Sequence, residues 1–275
     1  MRDISPACAR PPLKRNLLDP IGSYNAVRAM QSSDAKIIEY ASRNRLLIAP
    51  VAAQIFLSED IGSKRAYRKL DSLVGEGYLA DSYQGTKHRI LVASGYKYWT
   101  VGPEGQKLVN CPAERCRSLT ARALRVELAC LWFTAFTAKM APLRLEKQEL
   151  EQLLGTDPPY HNIPHFLDID QNDQGPVIWR AYVTTSDVAG TIRGARNQLE
   201  SAFKKPVLRR WIERGDYGWV ILCESPSKAA DVQHALNRRH GRQPALAHRA
   251  RFIARLGPSP ATLKESLELL RKKSK

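Results

Sequence analysis

The segment from Ser63 to Gly77 constrains the fold of this 275-residue chain more than any other part of its sequence. Ser63 is a residue type that caps helices. After it, apolar side chains recur at the spacing of one helix face, at Ala66, Leu70, Leu73 and Val74. Glycines at 75 and 77 end the pattern. The segment therefore predicts one amphipathic helix whose apolar face needs a partner.

Further patterns surround this helix in a defined order. One helix is predicted to begin at Ser33, and a second over Pro50–Phe56, where proline suits the first turn. After the Ser63 helix, three short β segments and a last helix are predicted over Gly77–Tyr83, His88–Val92, Tyr96–Val101 and Pro103–Val109. Three helices followed by a β-hairpin predict a winged helix-turn-helix domain over residues 32–110.

Two motifs make this resemblance specific. The stretch RAYRKLDSLVGEGYL, from Arg65 to Leu79, resembles the R-R-L-x-x-L-x-x-x-G-Y-L end of a winged-helix recognition helix. The stretch YWTVGPEGQKL, from Tyr98 to Leu108, resembles the Y-x-L-T-P-x-G segment that closes such domains. The resemblance implies binding of double-stranded DNA.

The polar side chains of this domain supply the predicted DNA contacts. On the recognition helix they are Ser63, Lys64, Arg65, Tyr67, Arg68 and Lys69, and at the tip of the wing they are Lys87, His88 and Arg89. Arginine pairs with guanine in the major groove, whereas lysine mostly contacts phosphate. The alternatives are a solvated charged face, or a winged helix that binds protein or is purely structural.

The charge distribution extends the prediction beyond this domain. The chain has a net charge of +16, and residues 193–275 contain 19 basic and 7 acidic side chains. Such a field attracts polyanions. Additional contacts to DNA, or to an acidic partner protein, are predicted for Arg209, Arg210, Arg238, Arg239 and Arg242. Residues 1–31, which are basic and interrupted by prolines, predict a flexible arm.

A second domain is predicted over residues 125–275, after a linker at 111–124. It is a mixed α/β domain with a basic C-terminal region, and the whole chain is therefore of the α+β class. The predicted elements are helices over Ala121–Lys139, Leu143–Leu154, Val188–Phe203, Pro226–Arg239 and Pro260–Lys273, and strands over Pro164–Ile169, Pro176–Thr184 and Gly218–Cys223. Their order resembles a degenerate restriction-endonuclease-like domain, the PD-(D/E)XK fold.

The residues for nuclease chemistry are incomplete. Asp168 and Asp170 stand where the first metal ligand of that fold belongs, but the next strand reads Trp179-Arg-Ala-Tyr in place of E-x-K. Carboxylates on the neighbouring helices, Glu127, Glu146, Glu149 and Glu151, are interpreted as surface charges. We therefore expect no catalytic residue, metal ion or cofactor, with a Mg²⁺-dependent endonuclease as an alternative.

Four zinc-type ligands are also present: Cys111, Cys116, His161 and His165. The distance in sequence between the two pairs matches no common zinc finger. Cys130 and Cys223 lie in apolar runs and are interpreted as core residues.

A winged helix followed by a degenerate nuclease-like domain resembles the replication-relaxation proteins of plasmids and integrative elements, which include mobilisation accessory factors. The resemblance implies an accessory protein that binds a defined DNA site and assists a relaxase or replication initiator there. A winged-helix transcriptional regulator is the alternative, and a homodimer is possible in either case. The apolar stretches are too short to span a bilayer, so a cytoplasmic protein without a membrane partner is expected.

Overall fold

A computed structural model describes residues 33–81, 96–112, 115–116, 119–136, 142–155, 163–169, 176–240 and 250–273. Within these residues the chain mixes helices and strands, which confirms the α+β class predicted from the sequence. The predicted arm over residues 1–31 and the predicted wing turn lie outside the described residues.

Three helices and a pair of strands form the first part of the chain. In order, the elements are α1 (Ser33–Asn44), α2 (Ala49–Ala52, continued by a π-helical turn over Ala53–Leu57), α3 (Lys64–Gly75), β1 (Leu79–Asp81), β2 (Trp99–Val101) and α4 (Pro103–Leu108). The helices predicted at Ser33, Pro50 and Ser63 are confirmed. The predicted strand over His88–Val92 lies outside the described residues.

Helix α3 has the amphipathic build that its sequence predicts. The Ser63 side chain caps it by accepting a hydrogen bond from the Arg65 backbone N–H at 3.1 Å. On its inner face, Ala66, Leu70 and Leu73 are fully buried, and Val74 is half-buried against the same core. Gly77, with a φ of +78°, lets the chain turn into β1.

The strands β1 and β2 are antiparallel and extended by a third short segment. The backbone N–H groups of Leu47 and Trp99 each donate to the carbonyl oxygen of the other at 2.8 Å. Helix α4 lies close to the start of β1, and a Cβ atom at Gly105 would lie 2.2 Å from the Tyr78 carbonyl oxygen. This close approach explains why glycine stands at position 105.

The second part of the chain is built around a five-stranded sheet. Its elements are α5 (Ala121–Phe136), β3 (Leu143–Leu145), α6 (Lys147–Leu154), β4 (His165–Asp168), β5 (Val177–Val183), α7 (Val188–Phe203), α8 (Pro206–Arg214), β6 (Tyr217–Cys223), α9 (Pro226–His240), β7 (Arg251–Leu256) and α10 (Leu263–Lys273). The strands lie in chain order. β3, β4 and β5 are antiparallel, while β5, β6 and β7 are parallel and joined by helices.

One predicted helix is wrong. The structure divides Leu143–Leu154 into strand β3 and helix α6, and the division falls at Glu146. The Glu146 side chain accepts from the backbone of Glu149, whose own side chain accepts from the Glu146 N–H, and this capping box starts the helix. Leucines at 143 and 145 satisfy the period of a strand as well as that of a helix, so periodicity alone did not separate them.

Two elements have no counterpart in the predicted order. Helix α8 has Pro206 in its first turn and buries Leu208 and Ile212. Among the described residues, strand β7 is paired only with β6, and it is half-exposed over most of its length. A strand at the edge of a sheet that begins with Arg251 has a weak apolar pattern, so periodicity does not predict it.

Helices cover both faces of the sheet. On β6, alternate residues point to opposite sides: Trp219 and Ile221 face α7, α8 and α9, whereas Val220 and Leu222 face α5. All four are fully buried. A strand covered on both faces reads as a continuous apolar run, which is why β6 was predicted correctly.

Helix α5 belongs to two cores at once. One side places Leu124, Leu128, Leu131 and Trp132 in the core that contains α1, α2 and α3. The other side packs Ala129, Cys130 and Phe133 against the sheet. The apolar core therefore continues from the first part of the chain into the second, across the linker predicted at residues 111–124.

Candidate nucleic-acid interface

The exposed face of α3 presents basic side chains at its N-terminal end. Lys64, Arg65 and Arg68 are exposed, and their spacing of three and four residues places them on one side of the helix. Further along the same helix the exposed residues include Asp71 and Ser72. The positive charge of α3 is therefore concentrated in its first two turns.

A small network holds one of these cations. Arg65 donates to Glu59 at 2.9 Å, although the Arg65 side chain remains 75% exposed. Ser63 donates to the same carboxylate at 2.8 Å. These hydrogen bonds, first from Ser63 and then from Arg65, hold the pKa of Glu59 below its usual range. Among the described residues, Lys64 and Arg68 form no ion pair, so they are the cations that are open to an external anion.

Two other predicted contact residues point elsewhere. The Lys69 ammonium lies 2.6 Å from a carboxylate oxygen of Asp34 and ties α3 to α1. Tyr67 is half-buried, with its ring edge-on to Trp99 at a centroid distance of 5.8 Å. The structure thus brings Ser63, Lys64, Arg65 and Arg68 together on one surface of α3. Lys69 and Tyr67 lie at the edge of that surface. Lys87, His88 and Arg89, predicted at the wing tip, lie outside the described residues.

A further basic side chain lies beside α3 and was not predicted. Arg271, on the C-terminal helix α10, reaches Gly62, where a Cβ atom would lie 2.7 Å from a guanidinium nitrogen. Its charge also acts on Tyr67: burial raises the pKa of Tyr67, and Arg271 opposes that rise. No local signal in the sequence links residues 62 and 271.

The second predicted basic group lies on the helices that cover the sheet. Arg209 and Arg210 are exposed on α8, and Arg238 is exposed on α9. Arg209 is paired with Glu213 at 2.8 Å. Arg239 lies in α9, but the structure does not describe its side chain. Arg242 lies outside the described residues.

The weak metal candidates are not assembled into a site within the described residues. A carboxylate oxygen of Asp168 accepts from the Trp179 indole N–H at 3.1 Å, and Asp170 lies outside the description. In this part of the chain there is no group of three or more side chains of the kinds that hold a metal ion.

The zinc-type residues are engaged separately. Cys111 and Cys116 have their sulfur atoms 3.4 Å apart. His165 is buried and bonded on both ring nitrogens, to the Ile163 carbonyl oxygen at 2.8 Å and the Tyr217 hydroxyl at 2.9 Å. His161 lies outside the described residues.

A buried ionic cluster joins the end of α1 to α5 and β3. The Glu127 carboxylate is paired with Arg144 and, at 3.3 Å, with Arg45. Its side chain is only 5% exposed, so the interpretation of Glu127 as a surface charge was wrong. Nearby, Arg43 bridges Glu39 at 3.0 Å and Glu149 at 2.9 Å. Charged groups thus meet at the junction that α5 forms between the two cores.

Comparisons with known proteins found no match to the chain among family models, curated proteins or solved structures. No helix within the described ranges combines the length and apolar character that crossing a bilayer requires.

Proposed function

We propose that this protein binds double-stranded DNA through a winged helix-turn-helix in which α3 is the recognition helix. The observation that carries the proposal is the division of α3 into two faces. One face is buried through Leu70 and Leu73, and the other exposes Lys64 and Arg68 to solvent. A helix held in this way can enter the major groove, with its first turns nearest the bases.

The surroundings of α3 support this assignment. The residues of α1, α2 and α3 share one core with β1 and β2. The short segment at Leu47 forms a β-bridge with Trp99 beside the two-stranded sheet of β1 and β2. A winged domain needs such a sheet because it anchors the hairpin whose tip contacts DNA beside the recognition helix.

Removal of the open cations tests the proposal. Lys64→Ala combined with Arg68→Ala is expected to weaken binding of a labelled duplex at least tenfold in a gel-shift assay. The slope of log Kd against log salt should fall by about two, because two phosphate-neutralising charges are lost.

The control removes two charges elsewhere. Lys107→Ala combined with Lys147→Ala changes two lysines, 73% and 54% exposed, that are each paired with a neighbouring glutamate. This variant should bind like the wild type. Equal binding by both double variants would contradict the assignment of α3.

For the second part of the chain, we propose a degenerate nuclease-like domain that does not cleave DNA. The proposal is supported by the order of α5, three antiparallel strands, a helical crossover and a parallel strand. Cleavage would need a carboxylate and a lysine on β5, which reads VIWRAYV. Plasmid DNA should therefore stay intact with Mg²⁺ or Mn²⁺. Metal-dependent cutting that disappears on combining Asp168→Ala with Asp170→Ala would contradict this proposal.

The biological role that follows is an accessory protein of a mobile genetic element, which assists a relaxase or replication initiator at an origin. It rests on the order of a winged helix and a nuclease-like domain. Sequencing of DNA recovered with the protein from cells tests it, since recovered fragments should centre on a transfer or replication origin. Fragments centred on promoters would instead support a transcriptional regulator.

A further inference from the structure

The C-terminal helix α10 is packed into the same core as the helices of the first part of the chain. Leu263 and Leu267 are fully buried there, and Leu270 is half-buried. Their spacing of three and four residues places them on one face of α10. Lys264 and Arg271, which lie beside this face on one flank of the helix, are exposed. The last helix of the chain is therefore a structural part of the unit that contains α3.

This packing places Arg271 at the start of α3. Its guanidinium lies against Gly62, which immediately precedes the capping residue Ser63. A side chain at position 62 would push the guanidinium away, since even a Cβ atom would lie 2.7 Å from its nearest nitrogen. The absence of a side chain at Gly62 thus permits this position of Arg271.

The charges around Arg271 favour an external anion. Among the described residues Arg271 forms no ion pair, and Lys64 and Arg68 on the neighbouring helix form none either. All three side chains are exposed, and Arg271 lies against the residue just before the helix that carries the other two. Their positive charges together favour an anion that binds at the start of α3. The planar guanidinium is suited to bidentate contact with phosphate oxygens.

We propose that Arg271 contacts a DNA backbone phosphate next to the groove that α3 enters, so that the C-terminal helix completes the DNA-binding surface. The proposal rests on the proposed function of α3. It adds a contact from the far end of the chain, where the basic side chains would otherwise be solvated charges. A phosphate contact of this kind positions the protein on the duplex without reading its sequence.

The test compares two exposed cations of the same helix. Lys264 lies at the opposite end of α10 from Arg271, so Lys264→Ala removes the same charge from the same element. Binding of a short labelled duplex of mixed sequence is measured by fluorescence anisotropy between about 50 and 200 mM salt. Arg271→Ala should weaken binding about five- to tenfold and lower the salt slope by about one. Lys264→Ala should leave both values unchanged.

Two further measurements separate the possible outcomes. Arg271→Lys keeps the charge but loses the planar fork, so it should restore the salt slope and only part of the affinity. Thermal unfolding of Arg271→Ala should match the wild type, because the side chain is exposed.

If Arg271→Ala binds like Lys264→Ala while the Lys64 and Arg68 double variant is impaired, the contact from α10 is refuted and the function of α3 stands. If the double variant also binds normally, both proposals are refuted.

Discussion

At the scale of single residues, His165 is the buried group whose protonation state is most clearly defined. Because the Ile163 carbonyl oxygen can only accept, Nδ1 of His165 carries the proton and donates to it. Nε2 then accepts from the Tyr217 hydroxyl. Burial, together with the charge of the neighbouring Arg180, lowers the pKa of His165 to about 3. The folded protein therefore keeps this ring neutral under mildly acidic conditions.

This neutral histidine makes the protein less stable in acid. In the unfolded chain the ring takes up a proton below about pH 6.5, whereas in the folded chain it does not until about pH 3. The free energy of unfolding should therefore fall as the pH drops from 6.5 towards 3, with a slope of up to about 1.4 kcal/mol per pH unit from this residue. Urea unfolding of His165→Gln between pH 7 and pH 5 should show a shallower decline than the wild type.

His234 offers the matched control. It lies on α9 and is exposed to solvent in the folded chain as well as in the unfolded chain. His234→Gln should keep the wild-type decline. An equally steep decline in His165→Gln would show that other groups cause the acid sensitivity.

Gly105 and Gly75 differ in what a side chain would meet. A Cβ atom at Gly105 would lie 2.2 Å from the Tyr78 carbonyl oxygen, whereas nothing lies within 4 Å of one at Gly75. Gly105→Ala should lower the free energy of unfolding by about 1–3 kcal/mol, since α4 must move away from β1. Gly75→Ala should leave it unchanged or raise it by about 0.5 kcal/mol. Equal effects of the two substitutions in chemical denaturation would contradict this account of α4.

At the scale of elements, the ionic cluster around Glu127 decides how α1, α5 and β3 are joined. Glu127→Gln leaves the charges of Arg45 and Arg144 without their shared carboxylate at a buried position. The free energy of unfolding should fall by about 3 kcal/mol or more. Denaturant titration monitored by circular dichroism measures this loss.

An exposed ion pair provides the comparison. Arg196 and Glu200 lie on the surface of α7, with side chains 55% and 57% exposed. Glu200→Gln should change the free energy of unfolding by less than about 0.5 kcal/mol. A loss of similar size in both variants would mean that burial is not what gives the Glu127 cluster its importance.

Elements with strong local signals could be predicted from the sequence. Ser63, the buried positions of α3 and the continuous apolar run of β6 each sufficed for the correct element. The local pattern of Leu143–Leu154 did not suffice. The conformation of its first residues is decided by the strand pairing of Leu143 with Leu167, which is not local. The strand β7 was missed for the related reason that only its pairing with β6 shows it to be a strand.

The candidate site likewise has residues that could be predicted from the sequence and residues that could not. Lys64, Arg65 and Arg68 could be placed on an exposed face from helical periodicity alone. The engagement of Lys69 with Asp34 and the approach of Arg271 to Gly62 depend on how separate helices pack. Single-sequence patterns contain no information about such contacts, so these parts of the surface required the structure.

At the scale of the whole molecule, α5 links the two cores into one. Leu128 faces the core of α1, α2 and α3, while Phe133 faces the sheet, and both side chains are buried. We therefore expect a single thermal unfolding transition, with a ratio of calorimetric to van't Hoff enthalpy close to about one. Leu128→Ala and Phe133→Ala should each shift this one transition to lower temperature. Two separate transitions, each moved by only one of the substitutions, would show that the cores unfold independently.

The position of α5 also limits how this chain can be recombined with others. A DNA-binding module that folds alone can be fused to a new effector or exchanged between proteins. Here, a fragment ending near residue 110 would lose the leucines that α5 and α10 contribute to its core. A fragment that begins at α5 would leave Leu128 and Trp132 facing water. Any fragment moved into another protein must therefore include both α5 and α10. This arrangement favours inheritance of the whole chain over exchange of its separate parts.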